Sequence, residues 1–267
     1  MIDALHLQGG LAAHDGRYGV ARTYYGLALE LSRTIRDKVF ESVQLSNLGE
    51  VERSLGNYTA ALDRLETGLR LCRDAGATLF HAHFLSELAE LANVRDDAVA
   101  ALGFAAEGLP IARDISHREL EAWLIVVQGD AQSGLGQLGE AADSYHHALR
   151  IYEELGRTGG LLYPLAGLAR VTAALGNIDR ALAHVARVET AISDGDEPNG
   201  APGLLWICHT VLVAARSPRA QEVLLRAHAL LTERAKLLDE ADRETFLGNV
   251  PSHRAIMSAW TASNRAP

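Results

Sequence analysis

The sequence predicts an all-α protein, a solenoid in which about six helix pairs stack in a row and a short helical cap follows. Two observations predict this fold. A pattern of small residues returns every 40 residues along the chain, and such self-similarity is the signature of a repeat architecture. The chain is 48% hydrophobic but only 6% aromatic, a composition rich in Leu and Ala that suits packed helices more than sheets.

The repeat is defined by a small residue at the turn between the two helices of each pair. This turn position holds Gly16, Gly56, Gly136 and Gly176, with Asp96 in the third copy. Five residues later stands an alanine: Ala21, Ala61, Ala101, Ala141 and Ala181. Seven residues earlier stand Gly9, Gly49, Ala89, Gly129 and Ala169. Helix backbones approach closely only where side chains are small, and a turn glycine accepts the left-handed backbone that ends a helix. The three positions therefore predict a close helix hairpin in each copy.

The helices follow from this register. Five pairs are predicted, at 2–14 with 18–36, 38–55 with 58–75, 78–94 with 97–115, 118–135 with 138–155, and 158–175 with 178–193. Residues 194–203 (DGDEPNGAPG) are predicted to form a loop because turn-forming residues dominate them. A sixth, irregular pair is predicted over 204–215 and 218–238. Two short helices near 240–247 and 252–262 should then cap the last apolar face, as repeat arrays require.

The repeat resembles the tetratricopeptide repeat. Leu-Gly-Asn-Tyr at 55–58 and the spacings Ala21-x3-Tyr25 and Ala141-x3-Tyr145 carry this resemblance. Two features differ: the period is 40 residues rather than about 34, and arginines replace the usual terminal proline at Arg33, Arg73 and Arg113. Without that proline the second helix can continue. The array covers 1–240, with repeats near 2–36, 37–76, 77–116, 117–156, 157–193 and 202–239. It is similar to Pins/LGN-type scaffolds and to sensor regions of bacterial transcription regulators and signalling ATPases.

The resemblance implies a right-handed superhelix whose first helices line a concave binding face. The candidate binding residues on that face are Asn47, Glu50, Arg53, His83, Glu87, Glu90, Asn93, Trp123, Asp130, Tyr163 and Arg170. The two asparagines could hydrogen-bond a peptide backbone, and the two aromatic residues are expected to anchor a ligand. Because acidic residues dominate the middle of the face, a basic or neutral protein or peptide is the expected partner.

The predicted function is therefore a protein- or peptide-binding module, the sensing or interaction region of a bacterial signalling or transcription-regulatory protein. Two alternatives stay open. One is a structural scaffold that self-associates into a homo-oligomer. The other is the non-catalytic C-terminal part of a larger ATPase or nucleotide cyclase.

Several other functions are not expected. A net charge of −9 argues against direct nucleic-acid binding, which favours a basic face. His81 and His83 are two residues apart and so fall on different helix faces, and we expect no metal, other cofactor or catalytic site. The run Gly134–Gly139 imitates a dinucleotide-binding motif, but no predicted strand precedes it. Cys72 and Cys208 are expected in the core. No signal peptide and no apolar run of about 18 residues is present, so a cytoplasmic protein without membrane contact is predicted.

Overall fold

The computed structural model describes residues 1–193 and 198–263, and within these ranges the chain forms fourteen α-helices and no strand. The all-α prediction is confirmed. The helices are α1 Ile2–His14, α2 Tyr18–Ile35, α3 Lys38–Ser54, α4 Tyr58–Asp74, α5 Thr78–Val94, α6 Ala98–Asp114, α7 Arg118–Gly134, α8 Leu138–Leu155, α9 Thr158–Ala174, α10 Ile178–Ser193, α11 Ala201–Ala214, α12 Ala220–Ala235, α13 Glu240–Gly248 and α14 Pro251–Ser263. Among the described helices, none is both long and apolar enough to cross a membrane.

The turn inside each pair has the predicted left-handed backbone. Gly56 has φ of 81°, and Asp96, which takes the glycine position in the third copy, has φ of 60°. At the Gly56 turn the next amide, that of Asn57, donates to the Glu52 carbonyl at 2.8 Å. This bond satisfies a carbonyl that the end of α3 would otherwise leave without a partner. The turn residue therefore both ends the first helix and directs the chain back along it.

The small residues seven positions before the turn allow the close contact within each pair. A Cβ atom added at Gly9 would lie 2.6 Å from the Tyr25 ring, and one at Gly49 would lie 2.6 Å from Leu65 Cδ2. A Cβ atom at Gly129 would similarly lie 2.8 Å from the Tyr145 ring. Because real Cβ atoms do not approach other atoms so closely, these glycines make room for the large side chain of the second helix.

The first helices of successive pairs form the inner layer of the array. Each helix packs on its chain neighbour, and α3, α5, α7, α9 and α11 also pack on one another in that order. The second helices α2 to α10 do not pack on one another to a comparable extent within the described ranges, so the first helices lie on the shorter, inner side of a curved stack. The side chains of these five helices therefore face the interior.

The C-terminal helices differ from the prediction in two ways. α11 begins at Ala201, before the predicted end of the loop, because Pro202 fits the first turn of a helix. Residues 194–197 of that predicted loop lie outside the described residues. The cap, defined as α13, α14 and residues 249–250 between them, packs on α11 and α12, but it also reaches the first two pairs. Asn249 donates from Nδ2 to the Gly56 carbonyl at 3.2 Å, which closes the inner side of the array.

Candidate functional site

Two adjoining cavities lie on the inner side of the array. The interior cavity has a volume of 380 Å³ and is bordered by α3, α5, α7, α9 and the cap. The adjoining cavity has a volume of 680 Å³ and extends toward α11. Six residues line both of them: Val94, Tyr163, Gly200, Gly203, Val250 and Ser252. The two cavities are therefore neighbours that share part of their lining.

An ionic cluster forms one wall of the interior cavity. Arg53, in the last turn of α3, places its Nη2 atom 3.0 Å from Glu90 Oε2 and 3.7 Å from Glu87 Oε2. The two glutamates are three residues apart in α5 and therefore share one helix face. The indole nitrogen of Trp123, in α7, donates a hydrogen bond to Glu90 Oε1. Three successive first helices thus each contribute to this cluster.

The cluster holds more acid than base. Glu50 also lines the interior cavity, so three carboxyl groups surround the single guanidinium of Arg53. Burial raises the pKa of Glu87 well above its usual range, and the neighbouring Glu90 raises it further. Burial likewise raises the pKa of Glu90, although Arg53 and the Trp123 hydrogen bond oppose this increase. The site therefore favours an additional positive charge or hydrogen-bond donor.

Two polar atoms of this cluster are buried and, within the described part of the chain, have no hydrogen-bond partner. They are Oε2 of Glu87 and Nε of Arg53. The 3.7 Å separation of Arg53 Nη2 from Glu87 Oε2 is an ion pair but is too long for a hydrogen bond. Leaving a buried polar group without a partner costs about 1–3 kcal/mol. Both residues line the interior cavity, although these two atoms are themselves enclosed.

Aromatic side chains also line the interior cavity. The rings of Trp123 and Tyr163 meet edge to face, with centroids 4.9 Å apart. Burial raises the pKa of Tyr163 to about 12, so its hydroxyl remains protonated and can donate or accept. Tyr18 and Tyr58 line the same cavity from the starts of α2 and α4. Aromatic faces near carboxylates suit a ligand that combines a cation with an apolar stem.

A second polar network lies in the adjoining cavity. Asp130 accepts from the Tyr145 hydroxyl at 2.7 Å and from Arg170 Nη2 at 2.8 Å. Arg170 also donates to the Tyr145 oxygen at 2.9 Å. These bonds join α7, α8 and α9. The negative charge of Asp130 is therefore already compensated by Arg170. The acidic character of the site therefore comes from the Arg53 cluster rather than from Asp130.

Nine of the eleven predicted binding residues lie along these cavities. The interior cavity is lined by Glu50, Arg53, Glu87, Glu90, Trp123 and Tyr163. The adjoining cavity is lined by Tyr163 together with Asn93, Asp130 and Arg170. That these residues bind a ligand stays a prediction.

The other two predicted residues make contacts elsewhere. Asn47 Nδ2 lies 3.2 Å from Nδ1 of His6, and the His83 ring meets the His117 ring at a centroid distance of 5.6 Å. Asn93 lies at the cavity, but its Nδ2 donates to the Val127 carbonyl at 2.9 Å. That bond holds α5 to α7, so the amide nitrogen of Asn93 already has a partner within the fold and the side chain is not fully available to a peptide.

The cap supplies cavity residues that the sequence reasoning missed. Phe246, Val250, Ser252 and His253 all line the interior cavity. His253 is buried, its Nδ1 donates to the Phe246 carbonyl at 2.9 Å, and burial lowers its pKa to about 4. The break at Asn249-Val250-Pro251 indicated two short helices, but no local pattern indicated that they would face the first repeats.

Known proteins share this architecture. A tetratricopeptide repeat family model matches residues 1–74. The regulatory protein AfsR of Streptomyces griseus is 24% identical over 178 residues, which cover 56% of this chain and only 18% of that protein. The matched part of this chain therefore spans less than a fifth of the length of that relative.

Solved structures extend the likeness in fold along nearly the whole chain. The Rap conjugation gene regulator of plasmid pLS20, in complex with the Phr* peptide, has a TM-score of 0.70 at 11% identity, covering 97% of this chain and 75% of that one. A signal transduction ATPase with a tetratricopeptide repeat sensor, from Pyrococcus horikoshii, has a TM-score of 0.61 at 14% identity, covering 92% of this chain and 41% of that one. Residues 1–74 thus match the tetratricopeptide repeat family, and the described residues share their all-α fold with these two solved proteins.

Proposed function

We propose that this chain is the sensing region of a bacterial regulatory protein and that it recognises a short peptide in the two adjoining cavities. A basic side chain or amino terminus of that peptide contacts the Arg53 cluster. The observation that carries the proposal is the excess of carboxyl groups over basic groups in the wall of the interior cavity, where the buried Oε2 atom of Glu87 has no hydrogen-bond partner among the described residues.

The charge preference follows from the cluster. An incoming cation would satisfy Glu87 Oε2 and stabilise the ionised carboxylate, whose pKa burial and Glu90 hold high. A neutral donor would supply the hydrogen bond without the charge. An acidic ligand would bring a further negative charge to three carboxyl groups, and at close range in a partly desolvated site this repulsion is strong. Basic and neutral partners are therefore favoured.

The size of the site favours a short segment. The two cavities, 380 and 680 Å³, each fall within the range of about 300–1,000 Å³ typical of small-ligand sites. The cap covers the inner side of the array, so a long helix or a folded domain would have to displace it. A peptide of a few residues fits without such a displacement.

The relatives support a regulatory role. The pLS20 regulator is solved with a peptide, the Pyrococcus protein carries its repeats as a sensor, and AfsR is a regulatory protein. In this proposal the chain binds the peptide and transmits that binding as a change in the array, and catalysis is not part of its role. The ligand acts by preferring one conformation of the array and so increasing its population.

A short-peptide display library tests the proposal. Wild-type protein, Glu87→Gln and the matched control Glu140→Gln would be screened in parallel. Glu140 is exposed in the first turn of α8, so its change removes the same charge from the surface. We expect wild type and Glu140→Gln to enrich peptides that contain Lys or Arg, and Glu87→Gln to lose this enrichment. Equal enrichment of basic peptides by all three proteins would refute the assignment of the site.

A self-associating scaffold is the second candidate, because α1 exposes an apolar face. Leu7 and Leu11, four residues apart, are both 64% exposed. Light scattering on wild type and on Leu7→Gln/Leu11→Gln separates the candidates. An oligomer that the double variant dissociates would favour the scaffold, whereas a monomer in both would leave the sensor as the supported function.

A further inference from the structure

The two ends of the array meet through a buried charge contact. Arg22, in α2, donates from Nη1 to Asp242 Oδ2 at 3.1 Å and from Nη2 to Asp242 Oδ1 at 2.9 Å. Asp242 belongs to α13, 220 residues further along the chain. The same guanidinium lies 3.1 Å from Glu52 Oε1 of α3. Both carboxylates are nearly buried, with side-chain exposures of 8% and 6%.

Further contacts on this side of the cap are both polar and apolar. Asn249 Nδ2 donates to the Gly56 carbonyl at 3.2 Å, and the Tyr58 hydroxyl donates to the Asn249 carbonyl at 3.4 Å. Among the described residues, one ring contact joins the cap to the first pair: the rings of Tyr18 and Phe246 lie with their centroids 6.4 Å apart. We name the set formed by Arg22, Glu52, Asp242, Asn249 and Gly56 the end-to-end contact.

The other side of the cap is held differently. α14 packs on α11 and α12, and its Ile256 is fully buried in the main core. Met257 and Trp260 pack against the same core. Apolar packing of this kind is insensitive to salt, whereas charge contacts are screened by it. The cap is therefore fixed to the last pair by apolar packing. It is held to the first two pairs by the end-to-end contact, which electrostatics govern, together with the packing of Phe246 against Tyr18.

The cap also forms a wall of the interior cavity through Phe246, Val250, Ser252 and His253. We propose that α13 and the start of α14 act as a lid: separation of the end-to-end contact opens the interior cavity between the cap and the first two pairs, and its formation encloses the ligand. Arg22 is the residue that holds the lid closed. The proposal rests on the proposed function insofar as that cavity holds the ligand.

Removal of Arg22 should open the lid rather than unfold the array. Glu52 would keep other partners, since Asn57 Nδ2 donates to it at 2.9 Å and Arg64 lies 3.8 Å away. Asp242 would be left as a nearly buried carboxylate close to Glu52, an arrangement that is strongly unfavourable. Because Asp242 lies on the cap, movement of α13 away from α2 relieves this charge at the cost of partly exposing Phe246. The packing of α14 on α11 and α12 does not depend on Asp242.

Small-angle X-ray scattering and hydrogen exchange on the full chain without ligand test the lid. The variants are Arg22→Gln and the matched control Arg33→Gln, which is also in α2 but pairs with Glu30 and Glu41 on the surface. We expect Arg22→Gln to increase the radius of gyration and to accelerate exchange of the α13 amides at least about tenfold, with helicity retained. Arg33→Gln should match wild type, and raised salt should shift wild type toward the variant.

Asp242→Asn provides a second variant, because it removes the charge without leaving a carboxylate unpaired. If Arg22→Gln loses its helical signal, Asp242→Asn decides the outcome through the same two measurements. Unchanged dimensions and unchanged α13 exchange in a folded variant would overturn the proposal. These readouts need no ligand, so an absence of peptide binding would refute the proposed function and leave the lid to be judged separately.

Discussion

Replacing Gly68 by alanine tests the close packing between consecutive repeats. Gly68 lies in α4 and faces the ring of Phe84 in α5, and an added Cβ atom would lie 2.2 Å from Phe84 Cζ and 2.4 Å from Cε1. Ordinary van der Waals contact begins at 3.4 Å, so the overlap exceeds 1 Å. Phe84 is fully buried, which leaves its ring little room to move.

The magnitude follows from two opposing effects. Overpacking a core costs about 1–3 kcal/mol, and an overlap of this size belongs at the upper end of that range. Alanine in place of a helical glycine recovers about 1 kcal/mol. Gly68→Ala should therefore lower the free energy of unfolding by about 2 kcal/mol. At about 2–4 °C per kcal/mol for a chain of roughly this size, the expected decrease in Tm is about 4–8 °C.

Gly103→Ala is the matched control, because Gly103 is exposed within α6 and an added Cβ meets none of the described atoms within 4 Å. Only the gain in helix propensity applies there, so this variant should be about 1 kcal/mol more stable than wild type. Thermal and urea unfolding, followed by far-UV circular dichroism, compare the two variants. A Gly68→Ala protein as stable as Gly103→Ala would refute the packing argument.

Three further predictions concern charged and titratable groups. Glu87→Gln should raise Tm at neutral pH, and this gain in Tm should shrink as pH falls. The raised pKa of Glu87 means that the wild-type residue contributes stability at low pH and that this contribution is lost as pH rises. A gain in Tm that is equal at all pH values would contradict this reasoning. For His253, the lowered pKa of about 4 means that wild type loses up to about 3 kcal/mol as pH falls from about 6.5 to about 4. His253→Asn should lack this loss in urea titrations across that pH range, and identical pH profiles would show that another group is responsible. Arg53→Met should destabilise the fold by about 3–5 kcal/mol because it leaves Glu87 and Glu90 as buried charges without compensation. A loss no larger than that of the surface change Arg33→Met, measured by the same unfolding assay, would argue against this cluster.

The sequence determined the repeat architecture, because the information lies within each copy. The Gly56 turn and the contact of Gly49 with Leu65 join residues less than one repeat apart, and their size pattern returns in every copy. The placement of Glu87 and Glu90 beside Arg53 also follows from register, since each residue projects from the inner face of a first helix and neighbouring first helices pack together. A single sequence shows such relations because they are local or periodic.

Only the tertiary structure decided how the array closes. Arg22 and Asp242 are ordinary charged residues in helices that no pattern connects, and their contact depends on curvature summed over six helix pairs. The same closure turned an open concave face into two cavities and placed His253 and Phe246 at a site otherwise built from first helices. Small differences in the angle between pairs accumulate along the chain, so residue identities alone do not determine which distant surfaces meet.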